Sequence, residues 1–230
     1  MKVIGTGRHE RVGIMGGSFN PIHIGHLVAA QEVLNDLGLS RIIFVPANRN
    51  PFKDGSQYAD SFHRYIMCVM ATSPNPVFEV SPFEIDRPAP NFTIDTIQHF
   101  RDELRSETEI FFITGADVVR EMKEWRRINE FSSLCQIIAV TRPYVNNYVK
   151  EAEFFDGIGL PVTFLRIPAL AISGADIRQR VREGRSIKYL VPESVELYIQ
   201  KTGLYLDAEL QPKIKDAVNK SVDDTSENLG

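Results

Sequence analysis

The chain is poor in cysteine and tryptophan, with two of the first and one of the second in 230 residues. Cys68 and Cys135 lie far apart in apolar surroundings and form no close pair. That excludes a disulfide framework and a thiolate metal site and predicts two buried, reduced thiols. An excess of positive charge is also missing: 26 Lys and Arg stand against 30 Asp and Glu, a formal net charge of -4, so no general basic field awaits a polynucleotide. No apolar run approaches the ~20 residues of a membrane span. Residues 1–11, with Lys2, Arg8, His9, Glu10 and Arg11, lack the apolar core of a signal peptide. These absences predict a cytoplasmic protein with neither nucleic acid nor membrane as partner. The patterns G-x-G-x-x-G and G-x-x-x-x-G-K-[ST] are absent too, which removes the common dinucleotide fingerprint and the Walker A loop.

What is present is an ordinary globular composition, 43% hydrophobic and 24% charged, long enough for one sizeable core. One domain over residues 11–206 is expected, preceded by a short extension (1–10). Residues 207–230 form a polar stretch with too few apolar side chains to offset the entropy of ordering, so a disordered tail is expected.

The most informative stretch is 12–26, Val-Gly-Ile-Met-Gly-Gly-Ser-Phe-Asn-Pro-Ile-His-Ile-Gly-His. A short apolar run from Val12 to Met15 is stopped by Gly16 and Gly17, as a buried strand entering a tight turn would be. From Ile24 a helical pattern starts, with Leu27, Ala30, Leu34 and Leu37 on one face and Gly38 as C-cap. Strand, glycine-rich turn and helix together place free backbone N–H groups and the positive end of a macrodipole where a phosphate could sit. His23 and His26, three residues apart on the first turn, can lean toward one small volume. As zinc ligands they would need a third partner that nothing nearby supplies, so no metal site is expected.

Further along, strands are expected at 41–46, 77–80, 109–114, 136–141 and 162–167, alternating with helices. Asp60-Ser61 can cap a helix whose core face would be Phe62, Tyr65, Ile66, Val69 and Met70, and Thr93 can cap the next. Asp117 follows the strand 109–114, where an acid can start a helix or accept from ribose hydroxyls. Residues 143–160 give no clear pattern. Ser173 opens a helix in which Arg178, one turn in, could reach over the N–H groups of Gly174 and Ala175, a second phosphate cradle; Ser173 and Asp176 have capping-box spacing. A last helix runs from Pro192 to about Thr202, with Gly203 as C-cap. His63 and His99 read as structural.

Gly16 to His26 resembles the G-G-x-F-D-P-x-H-x-G-H signature of nucleotidylyltransferases, with Asn20 where the family usually has Asp. Ile172-Ser-Gly-Ala-Asp-Ile-Arg178 resembles the I-S-x-T-x-I-R motif of nicotinate-nucleotide adenylyltransferases, with Ala175 for Thr. Phe44-Val-Pro-Ala47 with Pro51-Phe-Lys53, Asn91 to Thr96, Phe112 to Asp117 with Trp125, and Tyr189 to Tyr205 resemble further segments of the same family; Phe52 replaces a usual His. The resemblance spans residues 12–205. It implies an α/β, Rossmann-like, doubly wound parallel sheet with helices on both faces. It also implies adenylyl transfer from ATP to nicotinate mononucleotide in NAD biosynthesis, with Mg²⁺ accompanying ATP.

By resemblance, His23, His26 and Arg178 carry catalysis. ATP would contact these three together with Gly16, Gly17, Ser18, Phe19, Asp117, Ile172, Ser173 and Gly174. Asn20, Lys53, Thr93, Trp125, Arg126 and Arg142 would serve the mononucleotide. In the family the Trp matching Trp125 stacks on the pyridine ring and the Thr matching Thr93 helps hold its carboxylate. Two small-molecule substrates are then the partners, and a homo-oligomer is allowed. Three other readings compete. His-Ile-Gly-His is also the signature of class I aminoacyl-tRNA synthetases, although no Lys-Met-Ser-Lys-Ser segment is present. The acceptor could be nicotinamide mononucleotide or phosphopantetheine. The chain could also be a non-catalytic nucleotide-binding relative.

Overall fold

The computed structural model describes residues 9–48, 58–141, 148–168 and 170–206. The expected N-terminal extension and polar tail therefore fall almost wholly outside the described residues, as do Lys53 and Arg142.

Six strands form one parallel sheet: β1 (Arg11–Gly17), β2 (Arg41–Pro46), β3 (Phe78–Val80), β4 (Glu109–Gly115), β5 (Gln136–Thr141) and β6 (Val162–Arg166). Their order across the sheet is β3-β2-β1-β4-β5-β6. The direction of winding reverses between β1 and β4, and it is outside the carboxyl ends of such a pair that open α/β sheets hold ligands. β1 and β4 read as continuous apolar runs because both of their faces are covered. Met15, Phe111 and Ile113 join one core, while Val12, Ile14, Ile110 and Phe112 join the other.

The first core is covered by α1 (Ile24–Leu37), α2 (Ser61–Thr72), α7 (Gly174–Arg182) and α8 (Glu193–Thr202). The second is covered by α3 (Thr93–Glu103), α4 (Val118–Glu121), α5 (Phe131–Leu134) and α6 (Val149–Gly157). This is the doubly wound, Rossmann-like arrangement expected. Among the described residues no helix is long and apolar enough to cross a membrane. Both cysteines are buried and free, and desolvation raises their thiols, Cys135 to about 12.

Several local expectations need correction. Gly16 and Gly17 are the last residues of β1, so the turn starts at Ser18. Thr93 does not cap α3: extended Phe92 holds that position and Thr93 is the first helical residue. Pro192 sits at the N-cap of α8, just outside its first turn. The unplaced stretch contains α6, which buries only Glu151 and Phe155. Of the expected core face of α2 (Phe62, Tyr65, Ile66, Val69 and Met70), Met70 packs partly buried on the first core, but the face as a whole is turned away from it. Phe62 and Val69 are exposed, and the buried row is Arg64, Met67, Cys68, Ala71 and Thr72. The helix is turned because Arg64 points inward, where backbone carbonyls take up its donors.

Candidate active site

The turn after β1 carries the first half of the site. Phe19 has φ 45°, a left-handed conformation that costs a non-glycine residue on the order of 1 kcal/mol. It is held there by burial: its ring lies 5.8 Å from Phe44 and meets His26 edge-on at 5.1 Å. A cis peptide joins Asn20 to Pro21. His23 then takes the N-cap of α1 in extended conformation.

The two histidines converge as expected, their rings stacked with centroids 3.7 Å apart. Gly25 permits this, because a Cβ there would come within 3.1 Å of the His23 ring. The backbone N–H of His23 donates to Nδ1 of His26 at 3.2 Å. That bond fixes the tautomer, since Nδ1 must accept and the proton of the neutral ring must sit on Nε2. Burial, and then the neighbouring His23, lower the pKa of His26 well below its usual value. His26 is therefore a neutral ring whose Nε2–H can donate. Because its folded pKa is depressed, the unfolded chain binds the proton more readily below about pH 6.5, so stability from this group falls as pH drops through that range. NMR titration should find the His26 midpoint well below 6.5; a midpoint at or above 6.5 would contradict the desolvated, tautomer-locked ring.

The second half lies at the start of α7. Ser173 caps the helix, its hydroxyl accepting from the Asp176 N–H at 3.2 Å. The reciprocal arm of the capping box is not formed, because the Asp176 carboxylate pairs with Arg180 at 2.8 Å. Ile172, half-buried, packs on the first core beside Gly25. Arg178 donates from Nη1 to the carbonyl of Asn20 at 2.8 Å, and its buried Nε has no partner among the described residues. Gly174 packs so tightly on the same carbonyl that a Cβ would stand 2.8 Å from it. The two glycine-bearing stretches, about 150 residues apart in sequence, thus form one two-sided cradle at the mouth of the sheet.

Asp117 follows β4, across the switch point from the turn that follows β1. It is exposed and stands at the N-cap of α4, as a helix-start acid would, although its side chain makes no capping bond. Its carboxylate folds back over Gly115, where any side chain would collide with it.

The remaining candidates gather beside the second core. Trp125 is half-buried, meeting Phe112 at 5.8 Å and Phe131 at 5.7 Å. Arg126 lies 5.0 Å above the Phe92 ring, and Arg127 approaches Asp95 at 3.5 Å, so the Trp125–Arg127 loop is tied to the start of α3, where Thr93 is the first helical residue. Lys53 and Arg142 lie outside the described residues. His63 donates to or accepts from the Tyr198 hydroxyl at 2.8 Å, and His99 stacks on Phe83 at 3.8 Å. These contacts fit the structural reading of both.

A cytidylyltransferase-like family model matches residues 14–180. The probable nicotinate-nucleotide adenylyltransferase of Thermoanaerobacter sp. (strain X514) is 47% identical over 204 residues, covering 86% of this chain and 95% of its own length. The chain belongs to the nicotinate-nucleotide adenylyltransferase family. The probable nicotinate-nucleotide adenylyltransferase of Moorella thermoacetica (strain ATCC 39073 / JCM 9320) is 44% identical over 205 residues, covering 86% of this chain and 93% of its own. In fold the chain is similar to the Plasmodium falciparum nicotinic acid mononucleotide adenylyltransferase complexed with NaAD. There the TM-score is 0.67 at 20% identity, with 86% of this chain and 98% of that one covered.

Two residues of this nicotinate-nucleotide adenylyltransferase family member escape sequence reasoning. Arg64 and Tyr205 both reach the Ser18–Asn20 turn, Arg64 through the Ser18 carbonyl at 2.7 Å and Tyr205 through Oδ1 of Asn20 at 2.8 Å. An arginine in an otherwise apolar helix row was the only available signal. Tyr205 gave none. Asn20 itself is buried, and Oδ1 also accepts from the Ala59 N–H at 3.1 Å, so this side-chain oxygen faces the protein and fixes the turn.

Proposed function

We propose that this chain transfers the adenylyl group of ATP to nicotinate mononucleotide, releasing pyrophosphate and forming deamido-NAD. The observation that carries the reading is the two-sided cradle closed by Arg178 on Asn20, at the switch point of the sheet, in a chain of this family.

The chemistry asks little of the protein in proton transfer. A phosphate monoester carries nearly two negative charges at neutral pH, its second pKa being about 6, so its oxygen attacks the α-phosphorus without a general base. The new bond joins that oxygen to Pα as the bond from Pα to the bridging oxygen of the β-phosphate breaks, and the electron pair leaves with pyrophosphate. The barrier lies in aligning two polyanions, so positioning and charge stabilisation supply the catalysis. Neutral His26, through Nε2–H, and its partner His23 meet the α-phosphate; Arg178, Ser173 and the Gly174 N–H hold the leaving phosphates. Gly16, Gly17, Ser18, Phe19 and Ile172 shape that pocket, and Asp117 accepts from ribose hydroxyls. On the other side Thr93, Trp125 and Arg126 take the pyridine mononucleotide.

Mg²⁺, when bound, would neutralise charge across the phosphates. Among the described residues no three metal-type side chains converge, so phosphate oxygens and water are its proposed ligands, a common manner for this ion with nucleotides.

Trp125→Ala should raise KM for nicotinate mononucleotide several-fold more than KM for ATP. Equal rises would mean that the ring acts only through its packing on Phe112 and Phe131. The reading as a whole is tested by incubating the protein with Mg-ATP and nicotinate mononucleotide and identifying the product by mass. Deamido-NAD is expected; no product here, but adenylylated phosphopantetheine with that acceptor, would replace the substrate.

A further inference from the structure

We infer that Arg64 and Tyr205 are positioning residues for adenylyl transfer, which fix the Ser18–Asn20 turn from the side opposite the phosphates. This rests on the proposed function and gives a role to two residues outside the Gly16–His26 and Ile172–Arg178 stretches.

Arg64 is 3% exposed, and each of its three nitrogens donates to a main-chain carbonyl of a different segment. Nε reaches Ala59 at 3.0 Å, Nη1 reaches Ser18 at 2.7 Å and Nη2 reaches Asn48 at 2.6 Å. Ser18 follows β1 and Asn48 follows β2, so one rigid fork ties together the loops at two adjacent strand ends, beside the crevice. A lysine could carry the charge there but could not span three carbonyls. A guanidinium used in this way fixes the shape of the loops, whereas filling the core would require only an apolar side chain.

Tyr205 reaches the same turn from the far end of the chain. Its hydroxyl and the Ala59 N–H share Oδ1 of Asn20 as acceptor, while Arg178 takes the Asn20 carbonyl. Burial pushes the phenol above its usual range, so it remains a proton donor throughout the working pH range. Phe19, between Ser18 and Asn20, is in the left-handed region and keeps that conformation only while its neighbours are held. Arg64 on one side and Tyr205 on the other supply that hold, and the same turn aims His23 and His26. A shift of about 1 Å in such a cradle can cost on the order of 10²-fold in rate.

The test is steady-state kinetics of the full chain with both substrates, with thermal unfolding measured in parallel. Wild-type turnover comes first, since an inactive wild type would defeat the functional reading and not this one. Tyr205→Phe removes one hydroxyl and should lower kcat about 5-fold, the scale of one hydrogen bond, with KM for nicotinate mononucleotide unchanged. Arg64→Lys should lower kcat about 30-fold or more, because the fork is lost while the charge remains. In an Asn20→Ala background, where the shared acceptor is gone, Tyr205→Phe should have no further effect. That coupling is independent of whether the Arg64 variant folds, and a fall in kcat with KM and the unfolding midpoint both unchanged separates positioning from a loss of folded protein. Wild-type kcat in Tyr205→Phe, or the same fold-loss in both backgrounds, would overturn the proposal.

Discussion

Replacing His26 with alanine should lower kcat by about 10²-fold or more while leaving far-ultraviolet dichroism and the unfolding midpoint close to wild type, the scale expected when one preorganised donor to developing charge is removed. The ring is prepared in advance. The His23 N–H occupies Nδ1, so Nε2 carries the proton, and burial beside His23 keeps the ring neutral. A neutral donor loses less in desolvation than an imidazolium and needs no proton to arrive before reaction. His26→Gln, which retains an N–H on a side chain of similar reach, should recover part of the loss. Near-normal turnover in a folded His26→Ala protein would remove the histidine pair from the mechanism.

Arg178→Ala should lower kcat/KM for ATP by about 10²- to 10³-fold, a loss of electrostatic stabilisation on the same scale. In the proposed role the residue does two things at once: Nη1 ties α7 to the Asn20 carbonyl, and the guanidinium also meets a leaving phosphate. Arg178→Lys should recover little, because one ammonium cannot meet the carbonyl and a phosphate together in the fixed fork geometry. Binding of nicotinate mononucleotide on the Trp125 side should change far less. If the lysine variant had wild-type kcat/KM for ATP, Arg178 would be serving as a point charge and its bond to Asn20 would be incidental.

These two expectations mark where the sequence was most legible. The form of Gly16 to His26 and of Ile172 to Arg178 could be read because a strand end, a tight turn, a helix N-terminus and a cation one turn in are local features. β1 and β4 were legible because strands covered on both faces are continuous apolar runs. Legibility failed where tertiary contacts decide. α6 has little apolar pattern of its own and is held by Phe155 in the core and by Glu151 on Arg120. The core face of α2 was misread because a buried arginine looks like a surface residue until its three carbonyl partners are known. Asn20 read as a departure from the usual Asp. Yet its oxygen accepts from Ala59 and Tyr205, bonds that a neutral amide makes as well as a carboxylate, so the substitution keeps the turn intact.

The central claim is acceptor-dependent adenylyl transfer, and pyrophosphate release from Mg-ATP tests it most directly. The account predicts release that is slow with ATP alone, rises steeply when nicotinate mononucleotide is added, and is much weaker with nicotinamide mononucleotide. Release at the same rate with and without nicotinate mononucleotide, or none under either condition, would contradict it.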